Sequence, residues 1–363
     1  MKIQKKQTLG KMNSLEKHSE VLFEQVAQLI ESARHTLLRT TNVTMVTTYF
    51  LIGRQIVENE QVGEQRAQYA QKIIDDLSQK LTAKFGKGFS MRNLEQMRKF
   101  YLVYKDRIPQ NSSAELEMDA ADWGMITRNI IEKLRFSISW SHYILLCRIK
   151  NTDERAFYEI EAAQNHWNLE ELQRQFDSSL YERLVLSTDK AIVKTLATHG
   201  QIIKQPKDLI KDPLILEFMG LEEKAAYSES DLETAIINKI EKFMLELGKG
   251  FFFGGRQVRF TFSERHYRVD LVFYNRLLKC FVLIDLKIGV LTHQDLGQMQ
   301  MYVNYYDRFV KDDTENSTIG IILCKDKEDA VVEITLPKDN HQIFATQYQF
   351  YLPSKEALQY LIA

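Results

Sequence analysis

The chain has 363 residues, of which 44% are hydrophobic and 11% aromatic, and its 48 Lys and Arg offset 49 Asp and Glu for a formal charge of -1. That length suggests two domains, each with its own interior, and that composition excludes a disordered chain. The near-zero charge excludes a protein that coats nucleic acid through a global basic excess, so any such contact must come from local patches.

Cys147, Cys280 and Cys324 are widely spaced, form no CxxC pair and sit in apolar stretches. They read as reduced core thiols of a cytoplasmic protein rather than as a disulfide framework or a zinc site. No apolar run approaches the roughly 20 residues of a membrane span, and the basic start MKIQKKQTLGKMNSLEKHSE lacks the apolar core of a secretion signal. Neither a membrane partner nor export is expected.

From about Ser14 to Tyr104 apolar residues recur at helical spacing, as in YAQKIIDDLSQKL. The densest basic stretch lies here: Lys80, Lys84, Lys87, Arg92, Arg98, Lys99 and Lys105 have only Glu95 as acidic company. It reads as a helix, a tight turn at Gly86-Lys87-Gly88, an N-cap at Ser90 and a second helix, a helix-turn-helix-like pair. In that reading Arg92, Asn93 and Gln96 reach base edges and the lysines phosphates, so that Lys87, Arg92, Asn93, Gln96, Arg98 and Lys99 are the candidate nucleic-acid contacts. The bland alternative is a solvated basic helix in a bundle.

The polar segment Asp106 to Gly124 marks a loop, and helices resume near Ile126. A helix over Asp153 to Gln164 follows, then Asn168 and Glu171 form a capping box that opens LEELQRQFDSSLYERLV. Pro206 and Pro213 interrupt the helical pattern, placing a boundary between about 195 and 225. The expected division is an all-α N-terminal domain over 14–200 and an α/β domain over 215–363.

The second domain reads as a helix (231–247), strands at 251–262, 267–274 and 281–287, a helix (293–310), strands near 318–324 and 343–351, and a short final helix. Three successive strands, a helix and a further strand predict a mixed sheet flanked by helices. Two of these strands carry charges that apolar alternation does not predict: Asp270 in YRVDLVFY, and Asp285 with Lys287 in FVLIDLK. A lone buried carboxylate costs several kcal/mol unless a cation or partner compensates it. Asp285 and Lys287 share one strand face, and antiparallel pairing through the turn at 275–279 brings Asp270 toward Asp285. Two hard oxygen ligands with a main-chain carbonyl suit Mg²⁺, and Lys287 stands where it orients or deprotonates an attacking water. Glu233 adds a carboxylate on the preceding helix, and Gln298 and Tyr302 share a helical face four residues apart. The bland readings are a surface ion pair for Asp285 and Lys287, a helix-dipole acid for Glu233, and packing residues for Gln298 and Tyr302.

Asp270, then Asp285-Leu286-Lys287, then Gln298-x-x-x-Tyr302, with Glu233 before them, resembles the PD-(D/E)xK nuclease superfamily in its QxxxY branch. More closely, LELGKGFFF, RVDLVFYNRLLKCFVLIDLK and LGQMQMYVNYYD, with FGKGFSMRNLEQMRKFY and SWSHYILLCRI upstream, resemble the YhcG-like family over about residues 45–352. The resemblance implies a restriction-endonuclease-like domain behind a helical one, and phosphodiester hydrolysis, most readily of DNA, dependent on Mg²⁺ or Mn²⁺. It implies Asp270, Asp285 and the Leu286 carbonyl as metal ligands and Lys287 as the catalytic lysine, with Glu233, Gln298 and Tyr302 completing the site. Val269 stands where the superfamily's name has proline. A homodimer, or membership of a larger defence or restriction-type assembly, is a further expectation. The alternative is a catalytically silent protein that keeps the fold to bind nucleic acid or a partner.

Overall fold

A computed structural model describes residues 2–60, 66–107, 128–187, 190–221 and 227–362. The chain divides into two compact units, Met1–Lys150 and Asn151–Ala363. Among the described residues no helix is long and apolar enough to cross a membrane.

The first unit is helical. Helix α1 (Lys2–Glu60) is followed by α2 (Arg66–Phe85), α3 (Met91–Tyr104), α4 (Arg128–Leu134) and α5 (Trp140–Leu146). The expected loop at 106–124 lies mostly outside the described residues. Gly86 and Gly88 take φ of +81° and +119°, the left-handed conformation that a glycine adopts without Cβ strain, and so turn the chain between α2 and α3. Ser90 caps α3 as expected, its hydroxyl accepting from the Asn93 N–H. Apolar faces of α1, α2 and α3 meet at Ile56, Ile74, Leu94 and Met97. Phe100 of α3 is fully buried and packs edge-on or tilted against Phe50, Phe136 and Tyr143. α1 and α3 meet closely at Gly53, where an added Cβ would lie 2.1 Å from the Met97 carbonyl oxygen.

The second unit opens with four helices, α6 (Thr152–Gln164), α7 (Leu169–Asp177), α8 (Leu180–Ser187) and α9 (Lys190–His199). The capping box of Asn168 and Glu171 is present, but the single helix expected beyond it breaks at Ser179, which takes a φ of +52°. After strand β1 (Leu214–Ile215) come α10 (Glu229–Asn238), α11 (Ile240–Leu247), β2 (Phe251–Phe262), β3 (Arg265–Asn275) and β4 (Cys280–Val290). Then follow α12 (His293–Phe309), β5 (Ile319–Asp326), α13 (Asp329–Thr335), β6 (Ile343–Gln349) and α14 (Lys355–Ile362). The expected 231–247 helix is two helices that meet at Lys239.

The sheet is mixed, in the order β1-β6-β5-β4-β3-β2. β2, β3 and β4 pair antiparallel, whereas β4, β5, β6 and β1 run parallel. One face packs Leu271, Phe273 and Ile284 under Leu232, Ile236 and Phe243 of α10 and α11. The opposite face packs Val272, Leu283 and Ile322 under Leu296, Met299 and Val303 of α12. Near-continuous apolar residues in β4 and β5 are what coverage of both faces demands.

The division after Lys150 falls earlier than the 195–225 stretch where the sequence places a boundary. The helices over 152–199 are tied into the sheet unit by buried charge. Arg183 Nη1 lies 2.7 Å from Glu246 Oε1 with both side chains fully buried, and Arg174 joins Glu217 and Glu246 at 2.9 and 3.1 Å. Lys249 reaches Glu161 at 2.8 Å, and Lys355 contacts Glu154 and Glu182. Burial opposes the Glu246 charge, yet Arg183, Lys211 and Arg174 hold its carboxyl down at about 2. These partners lie many tens of residues apart, so no local pattern reports them.

Candidate active site

β3 and β4 pair from Asn275 opposite Cys280 to Leu271 opposite Ile284. In the same register the next opposed residues are Asp270 and Asp285, and there the ladder ends. Beyond it β3 remains paired to β2, and β4 to β5. The sheet forks at the two carboxylates. In place of a further rung, the main-chain N–H of Leu286 donates to Asp270 Oδ2 at 2.8 Å.

Asp285 is buried. Its Oδ2 receives no aligned hydrogen bond, although Lys287 Nζ stands 3.0 Å away. Desolvation pushes its carboxyl up, the charge of Asp270 adds to this, and Lys287 opposes it. Lys287 also has Glu229 Oε1 at 3.7 Å and Asp295 Oδ1 at 3.9 Å. Burial works against its charge, but Asp285, Glu229 and Asp295 outweigh it and hold the ammonium above its ordinary range. Glu229 and Asp295 come from the first turns of α10 and α12, on opposite faces of the sheet, and Asp295 is also the capping-box acid of Thr292.

Glu233 is buried on α10 and joins the same cluster. Gln257, opposite Asp270 in the β2–β3 register, donates its amide to both Glu233 Oε2 and Asp270 Oδ1, the latter at 2.9 Å. Arg256 Nε lies 3.3 Å from Glu233 Oε1. Gln257 takes a φ of +49°, two residues beyond the register shift between Phe253 and Gly255. Bulges of this kind re-aim side chains beside active sites. Gln298 donates to the Tyr302 hydroxyl on α12. Burial raises the Tyr302 phenol, and the charges of Asp285 and Asp270 add to it, which places this hydroxyl in the field of the two carboxylates.

The structure therefore brings Asp270, Asp285, Lys287, Glu233, Gln298 and Tyr302 into one neighbourhood and fixes Leu286 through its N–H. Gln257, Glu229 and Asp295 were missed by sequence reasoning. The Thr292-x-x-Asp295 cap was a readable signal for one of them; Gln257 had none, because its place depends on the bulge. Among the described residues no group of three or more His, Cys, Asp or Glu converges as a metal cage. What does fit a hard divalent cation is a pair of facing carboxylates, one with a buried oxygen lacking an aligned donor.

In the first unit the predicted nucleic-acid residues divide. Arg92, Lys87 and Lys99 are exposed, and Gln96 is partly so. The Asn93 amide is spent on the Gly88 carbonyl at 3.0 Å, tying down the turn. Arg98 Nε grips both oxygens of Glu60 at 2.8 and 2.7 Å, and Lys80 pairs with Asp76 at 2.6 Å. The stretch is thus less free in its charge than the local sequence suggests.

Residues 207–362 match a family described as the YhcG PDDEXK nuclease domain, and residues 25–183 match the DUF1016 N-terminal domain. The chain is 37% identical over 365 residues to a protein of Escherichia coli (strain K12) named "Putative nuclease YhcG", covering 96% of this chain and 95% of that one. Among solved structures, a repair endonuclease from Pyrococcus abyssi aligns with a TM-score of 0.25 at 16% identity, over 36% of this chain and 50% of that one. A structure of an EndoMS–dsDNA2 complex aligns with a TM-score of 0.24 at 16% identity, over 37% and 50%.

Proposed function

Since the chain belongs to the YhcG family, whose C-terminal region is a PDDEXK nuclease domain, we propose that it is a divalent-metal-dependent nuclease acting on DNA. The observation that carries this reading is the fork of β3 and β4, where Asp270 and Asp285 face one another and the Lys287 ammonium stands 3.0 Å from Asp285. Asp270 and Asp285, with the main-chain carbonyl of Leu286, would hold Mg²⁺ or Mn²⁺. Such an ion supplies Lewis-acid stabilisation of a phosphoryl oxygen and a lowered pKa for a bound water.

The protein's own groups have separable tasks. Lys287, kept charged by three carboxylates, donates hydrogen bonds to a phosphoryl oxygen or to the attacking water, and so orients the nucleophile in line. Gln257 and the Leu286 N–H fix the Asp270 carboxylate from two sides. Glu233, bridged to Asp270 by Gln257, adds negative potential that favours a cation in the fork. Tyr302, held by Gln298 and packed edge-on against Phe260 at 5.5 Å, closes the wall of the site against water.

In the helical unit, Lys87 and Lys99 contact phosphates while Arg92 and Gln96 reach base edges, guiding the nuclease domain to its substrate. Incubation of the purified chain with labelled DNA and RNA of equal sequence, in Mg²⁺ and in Mn²⁺, tests the choice of substrate. Cleavage of the DNA is expected; cleavage confined to RNA would overturn it.

A further inference from the structure

Beyond the fork, β2 and β3 run on as a two-stranded arm closed by Ser263 and Glu264, whose φ of +47° and +63° fit a two-residue type I′ turn. Arg259, Arg265 and Arg268 on this arm are all exposed, with Glu264 the one acid between Phe251 and Val269. Arg259 stands directly opposite Arg268 in the ladder. Like charges so opposed destabilise a hairpin, and an anionic partner would relieve that cost.

Beside the arm, the face of α12 turned toward β2 forms a cleft of about 310 Å³, near the lower end of the range for ligand pockets. Its apolar lining is mostly aromatic, Phe260, Phe262, Tyr305 and Phe309 with Met301 beside them. Phe260 and Tyr305 are stacked at 4.1 Å, forming a flat floor. Phe262 and Phe309, 48% and 62% exposed, face each other with centroids 6.3 Å apart and planes tilted by 39°. A flat ring seated between two others needs about 7 Å, so a small opening of these two exposed rings admits one. Gln300, Asn304 and Arg308 supply the polar rim.

Resting on the nuclease reading above, we propose that this cleft seats one unpaired nucleobase of the DNA strand, with Arg265, which shares the ribbon face of Phe260 and Phe262 through its pairing with Phe262, holding a flanking phosphate. Aromatic faces bind bases irrespective of sequence, whereas an amide-and-guanidinium rim meets their polar edges. The cleft neighbours the proposed active site through Phe260, which lines it and also packs edge-on against Tyr302. An unpaired base held here sets the register of the strand at the fork. The substrate class is therefore DNA with single-stranded or bulged character, in preference to fully paired duplex.

The test is titration of the full chain, in EDTA, into an oligonucleotide carrying a single 2-aminopurine, either unpaired or within a perfect duplex. Quenching of the unpaired probe is expected, with little change in the paired one. Phe309→Ala, at an exposed position, should weaken binding of the unpaired probe roughly 5- to 150-fold, the range of one base stack, and Phe309→Trp should restore it. Arg265→Gln should flatten the salt dependence. Equal quenching of both probes, no binding of either, or an unpaired-probe affinity unchanged in Phe309→Ala and Phe262→Ala would overturn the proposal. Binding is read without metal, so failure of cleavage leaves this result intact, and cleavage without base-selective quenching refutes the cleft alone.

Discussion

The main-chain N–H of Leu286 donates to the carboxylate of Asp270 at 2.8 Å, beyond the last rung of the β3–β4 ladder. A side chain has taken the place of the strand partner, and so Asp270 is anchored while Asp285, opposite, is left buried beside Lys287. Without a cation, this arrangement would carry an electrostatic cost at the fork.

That cost has a sign that can be measured. Burial and Asp270 raise the Asp285 carboxyl to about 7 from its ordinary 3.8. The folded state then binds more protons than the unfolded one between those values, so metal-free stability falls as pH rises through that window. Asp285→Asn should stabilise the metal-free chain at pH 8 by on the order of 1–3 kcal/mol, seen as a higher melting temperature in EDTA, and show little gain at pH 4. Mg²⁺ should stabilise the wild type and not the variant, as read by thermal melts with and without the ion.

Gln257→Ala removes the amide that joins Glu233 to Asp270. Loss of such an orienting partner is expected to raise the Mg²⁺ concentration needed for half-maximal cleavage by about 10- to 100-fold, with partial rescue at high metal. A titration of cleavage rate against Mg²⁺ checks this; an unshifted midpoint would remove Gln257 from the site.

Arg183→Ala leaves Glu246 buried with one guanidinium fewer. Breaking such a pair costs about 3–5 kcal/mol, measurable by urea unfolding. The stabilisation from Glu246 should be fully present above its unfolded value near 4.5 and decline as pH falls through about 2, because the folded pKa is depressed.

In the helical unit, Arg92→Glu and Lys99→Glu should lower DNA affinity, and the neutral variant of Lys99 should reduce the salt slope by about 1. Arg98→Glu is expected to act differently, because it sets a second acid against Glu60 and lowers the stability of the α1–α3 packing. Affinity and melting temperature measured together separate the two effects.

The fork was legible in the sequence because Asp270, Asp285 and Lys287 each break an otherwise apolar run, and Gln298 and Tyr302 obey helical spacing. The mixed sheet followed from the order of those runs. Gln257 was not legible, since a bulge and a positive φ bring it opposite Asp270. Arg98 looked like a free cation because its partner Glu60 lies 38 residues away. The allegiance of the 152–199 helices to the sheet unit rests on Arg174 and Arg183 meeting Glu246, 72 and 63 residues on, at separations no local pattern can register.

The most direct test of the nuclease assignment is incubation of the purified chain with plasmid and single-stranded DNA in Mg²⁺, Mn²⁺ or EDTA, beside Asp285→Ala and Lys287→Ala. Metal-dependent cleavage that is abolished by EDTA and by Asp285→Ala, and reduced at least about 100-fold by Lys287→Ala, is the predicted result. Cleavage that survives in EDTA or in Asp285→Ala would contradict it.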